Sequence, residues 1–65
     1  MIKIKLDEVL KEKDISLTEL SNAVDVTIAN LSILKTGKAK AVRFSTLEAI
    51  CDYLDCQPGD IIVNE

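Results

Sequence analysis

The side chains with the clearest chemical potential are four cations in a short stretch: Lys35, Lys38, Lys40 and Arg43. From Val26 to Leu47 no acidic residue offsets them, although the whole chain carries a formal net charge of −3. The acidic residues gather in the first and last thirds, so the charge is dipolar, with one basic edge. Closely spaced lysine and arginine suit an anionic polymer, because each can replace a condensed counterion at a phosphate.

Other chemistries find little material. Histidine is absent, and the two cysteines, Cys51 and Cys56, lack the further ligands a structural zinc site needs. They read as reduced, partly buried small hydrophobes on one helix, where a disulfide would staple nothing distant. No glycine-rich phosphate loop and no nucleophile beside a base is present, so neither an enzyme nor a cofactor is expected. No apolar run reaches the length of a membrane span. The opening Met1-Ile2-Lys3-Ile4-Lys5 lacks the apolar centre of a signal peptide, and the reading is a cytoplasmic protein.

The elements that must position these residues follow from caps and periodicity. The 65 residues suffice for a single domain, residues 1–65, around one small core. Alternation at Ile2, Ile4 and Leu6 predicts a short strand. Asp7-Glu8 opens a helix that Asp14 ends, with acid in front and base behind to suit its dipole. Ser16-Leu17-Thr18-Glu19 has the form of a capping box, and Ile15 with Leu20 forms its staple. This second helix runs to about Val24. Thr27 caps a third helix, stapled by Val26 and Leu31 and stopped at Gly37. A basic loop, Lys38 to Phe44, leads to Ser45-Thr46-Leu47-Glu48, which reads as another capping box, with Phe44 and Ala49 as staple. Leu47, Ile50, Cys51 and Leu54 then form an apolar helical stripe. Gln57-Pro58-Gly59-Asp60 is a turn, and Ile61-Ile62-Val63 a closing strand.

Only Asp25 and Val26 separate the second helix from the cap of the third. So tight a connection forces the two helices to cross steeply, as in a helix-turn-helix. Leu20, Val24, Val26, Leu31 and Leu34 point onto a shared core, Ser21 is small at the crossing, and Asp25 fills a turn position that needs positive φ. With these residues in place the sequence resembles the Cro and phage-repressor (XRE-type) helix-turn-helix family, in its compact single-domain branch, from about Leu6 to Ile61. The resemblance is carried by Ile15-Ser16-Leu17-Thr18-Glu19-Leu20, Val24-Asp25-Val26-Thr27 and Leu31-Ser32-Ile33-Leu34-Lys35-Thr36-Gly37-Lys38. The Ser45-Thr46-Leu47 helix start and the tail Leu54-Asp55-Cys56-Gln57-Pro58-Gly59-Asp60 add to it.

The resemblance implies an all-α, lambda-repressor-like bundle of four to five helices with short terminal strands. It implies a sequence-specific transcriptional regulator of duplex DNA, with the third helix in the major groove. Carried over by position, Thr27, Ile28, Ala29, Asn30, Ser32 and Ile33 face the groove, while Lys35, Thr36 and Lys38 meet phosphate; Lys40 and Arg43 extend that basic edge. The sequence departs from the family pattern where Asp25 replaces a usual glycine, where Leu17 replaces a polar residue, and at Ile28 and Ile33, where arginine or another polar residue is common. Ile28 and Ile33 suit either thymine methyls or an apolar patch for a protein partner, as in an antitoxin-like or accessory regulator. Relatives bind two half-sites as dimers, and the apolar terminal strands, or the adjoining fourth helix, are the expected homodimer contact.

Overall fold

The computed structural model describes residues 1–65. The elements run β1 (Ile2–Ile4), α1 (Leu6–Lys13), α2 (Leu17–Val24), α3 (Ile28–Lys35), α4 (Phe44–Leu54), α5 (Pro58–Ile61) and β2 (Ile62–Asn64). Five helices and one two-stranded ribbon agree with the architecture expected from sequence. No helix is long and apolar enough to cross a membrane.

Each helix sends its apolar face to one cluster: Leu6, Val9 and Leu10 from α1, Leu20 from α2, Leu31 and Leu34 from α3, Ile50, Cys51 and Leu54 from α4, and Ile61 from α5. With only ten buried residues, the molecule depends on how the helix ends are closed. Ser16 Oγ accepts the Glu19 amide at 3.0 Å, and Thr27 Oγ1 accepts that of Asn30 at 3.2 Å. These are the two caps expected for α2 and α3. The reciprocal half of the Ser16 box does not form. The Glu19 carboxylate instead accepts the Tyr53 hydroxyl at 2.6 Å, which ties α4 to the first turn of α2.

At the other ends, α1, α2 and α4 each stop on a left-handed aspartate: Asp14 at φ 56°, Asp25 at 55° and Asp55 at 51°. Beyond Asp14, the Ile15 amide reaches back to the Leu10 carbonyl at 3.0 Å; beyond Asp55, the Cys56 amide reaches that of Cys51 at 3.0 Å. This six-to-one closure brings an apolar residue over the last turn. It accounts for both cysteines: Cys51 is buried in the core and Cys56 half-buried above it. Burial, followed by the neighbouring Cys51, pushes the Cys56 thiol above its ordinary range, toward the unreactive protonated form. After α3, Gly37 at φ 79° makes the same closure, with the Lys38 amide on the Ile33 carbonyl at 3.1 Å.

Four local expectations are corrected. Helix α4 begins at Phe44, not after Ser45: the Leu47 amide already donates to the Arg43 carbonyl at 3.0 Å, so Ser45 is helical and cannot cap. Phe44, expected in a staple, is 88% exposed. The turn at 57–60 is a single helical turn, α5, with Pro58 at its start and the Gln57 amide held by the Asp60 carboxylate at 2.9 Å. Ile61 belongs to that turn and is buried, so the closing strand starts one residue later. The ribbon pairs antiparallel, Ile2 with Asn64, Lys3 with Val63 and Ile4 with Ile62. Ile4 and Ile62 rest on the core, which leaves Met1 and Ile2 as the ribbon's exposed large apolar residues.

Asp25 is strained twice, by its left-handed backbone and by a carboxylate at the negative end of α2. Asp25→Asn keeps tolerance of that backbone and removes the charge, and should raise stability by about 0.3–1 kcal/mol. Asp25→Val should lower it by about 1–2 kcal/mol. Urea unfolding followed by circular dichroism checks both.

Candidate nucleic-acid interface

The α2–α3 corner is fixed from inside. Ser21 Oγ donates to the Val26 carbonyl across the turn, and Val24 and Val26 pack on the core. A small hydroxyl residue at this crossing therefore holds the corner as well as clearing space for it. Leu31 and Leu34, both buried, set the rotation of α3. With about 100° per residue, Ala29 and Thr36 stand opposite them and Ser32 lies beside that centre line. Ile28 and Ile33 flank it, 46% and 47% exposed.

The sequence-predicted site residues thus fall into three groups. Ile28, Ala29, Ser32, Ile33 and Thr36 form the outward stripe of α3, with Thr27 at its exposed N-terminus. The Thr36 hydroxyl is engaged locally, donating to the Ile33 carbonyl at 3.1 Å. Asn30 lies on one flank, where α3 and the following loop enclose a groove of about 620 Å³ that Asn30 shares with Ile33, Ala39, Lys40, Val42 and Arg43. Within that loop Ala39 and Val42 turn inward onto the core, while Lys38, Lys40 and Arg43 are exposed. The cations are therefore carried on a segment pinned at two points. Asp25 stands at the same groove and is its one carboxylate.

Lys35 is separate from the others. It emerges on the opposite flank of α3, two-thirds buried, with Nζ 3.6 Å from Asp7 Oδ1. Asp7 also holds Lys11 at 3.1 Å. Hydrogen bonding from Lys11 first, and then the attraction of both lysines, keeps the Asp7 carboxyl below the ordinary carboxylate range. Neither this pair nor the Tyr53–Glu19 bond was visible in sequence, since each joins residues far apart in the chain. That bond also holds the Tyr53 hydroxyl proton, pushing its pKa up. No group of three His, Cys, Asp or Glu side chains comes together to hold a metal.

Comparison with known proteins agrees with this geometry. Residues 5–65 match the Cro/C1-type HTH DNA-binding domain. The chain is 63% identical over 59 residues to a Bacillus subtilis (strain 168) protein described as the uncharacterized HTH-type transcriptional regulator YozG. The matched stretch covers 91% of this chain and 70% of that relative.

Asp7→Asn should release Lys35. If Lys35 then reaches a phosphate, the log–log dependence of duplex affinity on salt should steepen by up to about 0.9. A second readout is stability against pH. A carboxyl whose pKa falls on folding stabilises above its unfolded value and loses that contribution as pH drops through its folded value. The acid loss of stability should therefore be smaller in Asp7→Asn than in the parent. Anisotropy titrations across salt and urea melts across pH 2–6 measure the two effects.

Proposed function

The chain belongs to the Cro/C1-type helix-turn-helix DNA-binding family, and on that premise we propose that it is a sequence-specific transcriptional regulator that lays α3 in the major groove of duplex DNA. The observation that carries this reading is the outward stripe of α3 beside a pinned loop of exposed cations, in a segment with no carboxylate between Val26 and Leu47. Lys38, Lys40 and Arg43 set register on the phosphates, with Lys35 joining when Asp7 lets it go. Thr27, at the N-terminus of α3, lies where a helix end favours phosphate. Asn30 and Ser32 supply hydrogen bonds to base edges, Asn30 suiting adenine. The protein works in the cytoplasm and performs no catalysis of its own.

One copy presents one reading helix, enough for a half-site, so the regulator acts as a homodimer on two half-sites about one helical turn apart. Since much of the ribbon's apolar surface rests on the core, α4 is the better contact. Phe44 lines a shallow groove with Leu47, Cys51, Cys56 and Pro58, to which Glu48, Asp52 and Gln57 add polar groups. A two-fold axis beside α4 would let each Phe44 enter the other copy's groove. A second reading, a helix-turn-helix module for protein contact, draws on the exposed Ile28 and Ile33, which would form its apolar docking patch.

Salt separates the two readings. Duplex affinity should fall steeply with salt, and Lys38→Ala should flatten the log–log slope by about 0.9 while weakening all sequences alike. A salt-independent interaction, or no duplex binding at low salt, rejects the DNA reading.

Sedimentation at micromolar concentration tests assembly. A dimer is expected on a palindromic duplex, and Phe44→Ser should reduce it to a monomer without loss of helical signal. Monomers with and without duplex reject the homodimer.

A further inference from the structure

The outward stripe of α3 has an unusual chemistry for a surface set among phosphate-binding cations. Its centre is made of small side chains, Ala29, Ser32 and Thr36, and its two flanks are isoleucines, each nearly half exposed. No other large apolar side chain is exposed on α3; Leu31 and Leu34 are fully occupied in the core. Small residues at the centre let the helix axis approach the groove floor. Branched hydrocarbon at the edges then meets the two sides of the floor, where the base edges of each strand lie. The only apolar substituent that the major-groove edges of the four standard bases present is the C5-methyl of thymine.

We propose that Ile28 and Ile33 make α3 a reader of pyrimidine C5-methyl groups, one on each side of the groove floor, so that 5-methylcytosine is recognised in place of thymine at those positions. The proposal rests on the DNA reading above and adds what the helix selects. Ile28 and Ile33 are about 140° apart around the axis and about 7.5 Å apart along it. Side chains on opposite flanks of a helix face opposite sides of the groove floor, and a pyrimidine C5-methyl lies toward its own strand, so the two methyls belong to opposite strands, separated by about two base-pair steps. Charge decides between DNA and a protein as the occupant of these isoleucines. They lie between the N-terminus of α3 and the exposed Lys38, Lys40 and Arg43; the groove that Ile33 shares with Lys40 and Arg43 holds one carboxylate, Asp25, while Asp7 is occupied by Lys35 and Lys11. Such a rim matches a polyanion.

The test uses the intact protein and duplexes selected from a random pool. Each thymine of the best site is replaced singly by uracil, which removes the methyl and leaves the Watson–Crick edge unchanged. In each half-site two uracil substitutions, on opposite strands, should each lower affinity about four-fold, the worth of one buried methyl-sized group. At those two positions, duplexes with 5-methylcytosine opposite guanine should bind about four-fold tighter than the same duplexes with cytosine. Ile28→Ala and Ile33→Ala should each abolish the thymine–uracil difference at one position, and Ile33→Val should keep most of it. Far-UV circular dichroism and urea melts like the parent's show that all three variants fold. Equal binding of thymine and uracil duplexes at every position overturns methyl reading and leaves DNA recognition standing. Absence of any duplex binding at low salt overturns the DNA reading, and methyl reading with it.

Discussion

Everything on the recognition side of this molecule depends on the corner between α2 and α3. Three residues, Asp25, Val26 and Thr27, reverse the chain between two helices that share Leu20 and Leu31 as fully buried neighbours in one core. Each of the three has a separate task. Asp25 accepts left-handed backbone, Val26 packs inward while its carbonyl takes the Ser21 hydroxyl, and Thr27 caps the next helix. Fixing both ends of so short a link leaves the crossing of the helices little freedom. The rotation of α3 then follows from Leu31 and Leu34, and the identity of its outward stripe follows from that rotation.

The pinned loop extends the same logic to the cations. Lysine side chains are flexible, but the backbone that carries Lys38 and Lys40 is held by Ala39 and Val42 against the core. Part of the ordering that a complex with phosphate requires is therefore met during folding. Lys35 is treated differently, since its partner Asp7 belongs to α1 and competes with any external anion. Neighbouring cations in the chain are thus one set presented and one withheld.

Sequence made the local features legible. Ser16 and Thr27 cap through amides three residues on, and Asp25 and Gly37 mark left-handed positions by residue type, so the helix-turn-helix could be placed from a few contiguous residues. Where two local signals competed, the reading slipped. Ser45-Thr46-Leu47-Glu48 has the form of a capping box, yet the chain is already helical from Phe44, and the serine lies within the first turn. Proline and glycine at 58 and 59 indicated a turn, and the burial of Ile61 drew that turn into a helix. The remaining gaps are long-range. Glu19 looked committed to its own helix start because nothing nearby indicates that Tyr53, 34 residues later, would take its carboxylate. Lys35 looked like part of a basic run because the position of Asp7 is a product of the packing of α1 on α3.

The separation of charge along the chain bears on how such a molecule finds its target. Beyond a Debye length of about 10 Å, salt largely screens the net charge of −3 from a polyanion. Only within that distance, and only when the loop carrying Lys38, Lys40 and Arg43 leads, does attraction prevail. Encounters in other orientations end without capture. On the proposed reading, residence on random sequence would be brief, and occupancy would follow the fit of α3 to a particular site.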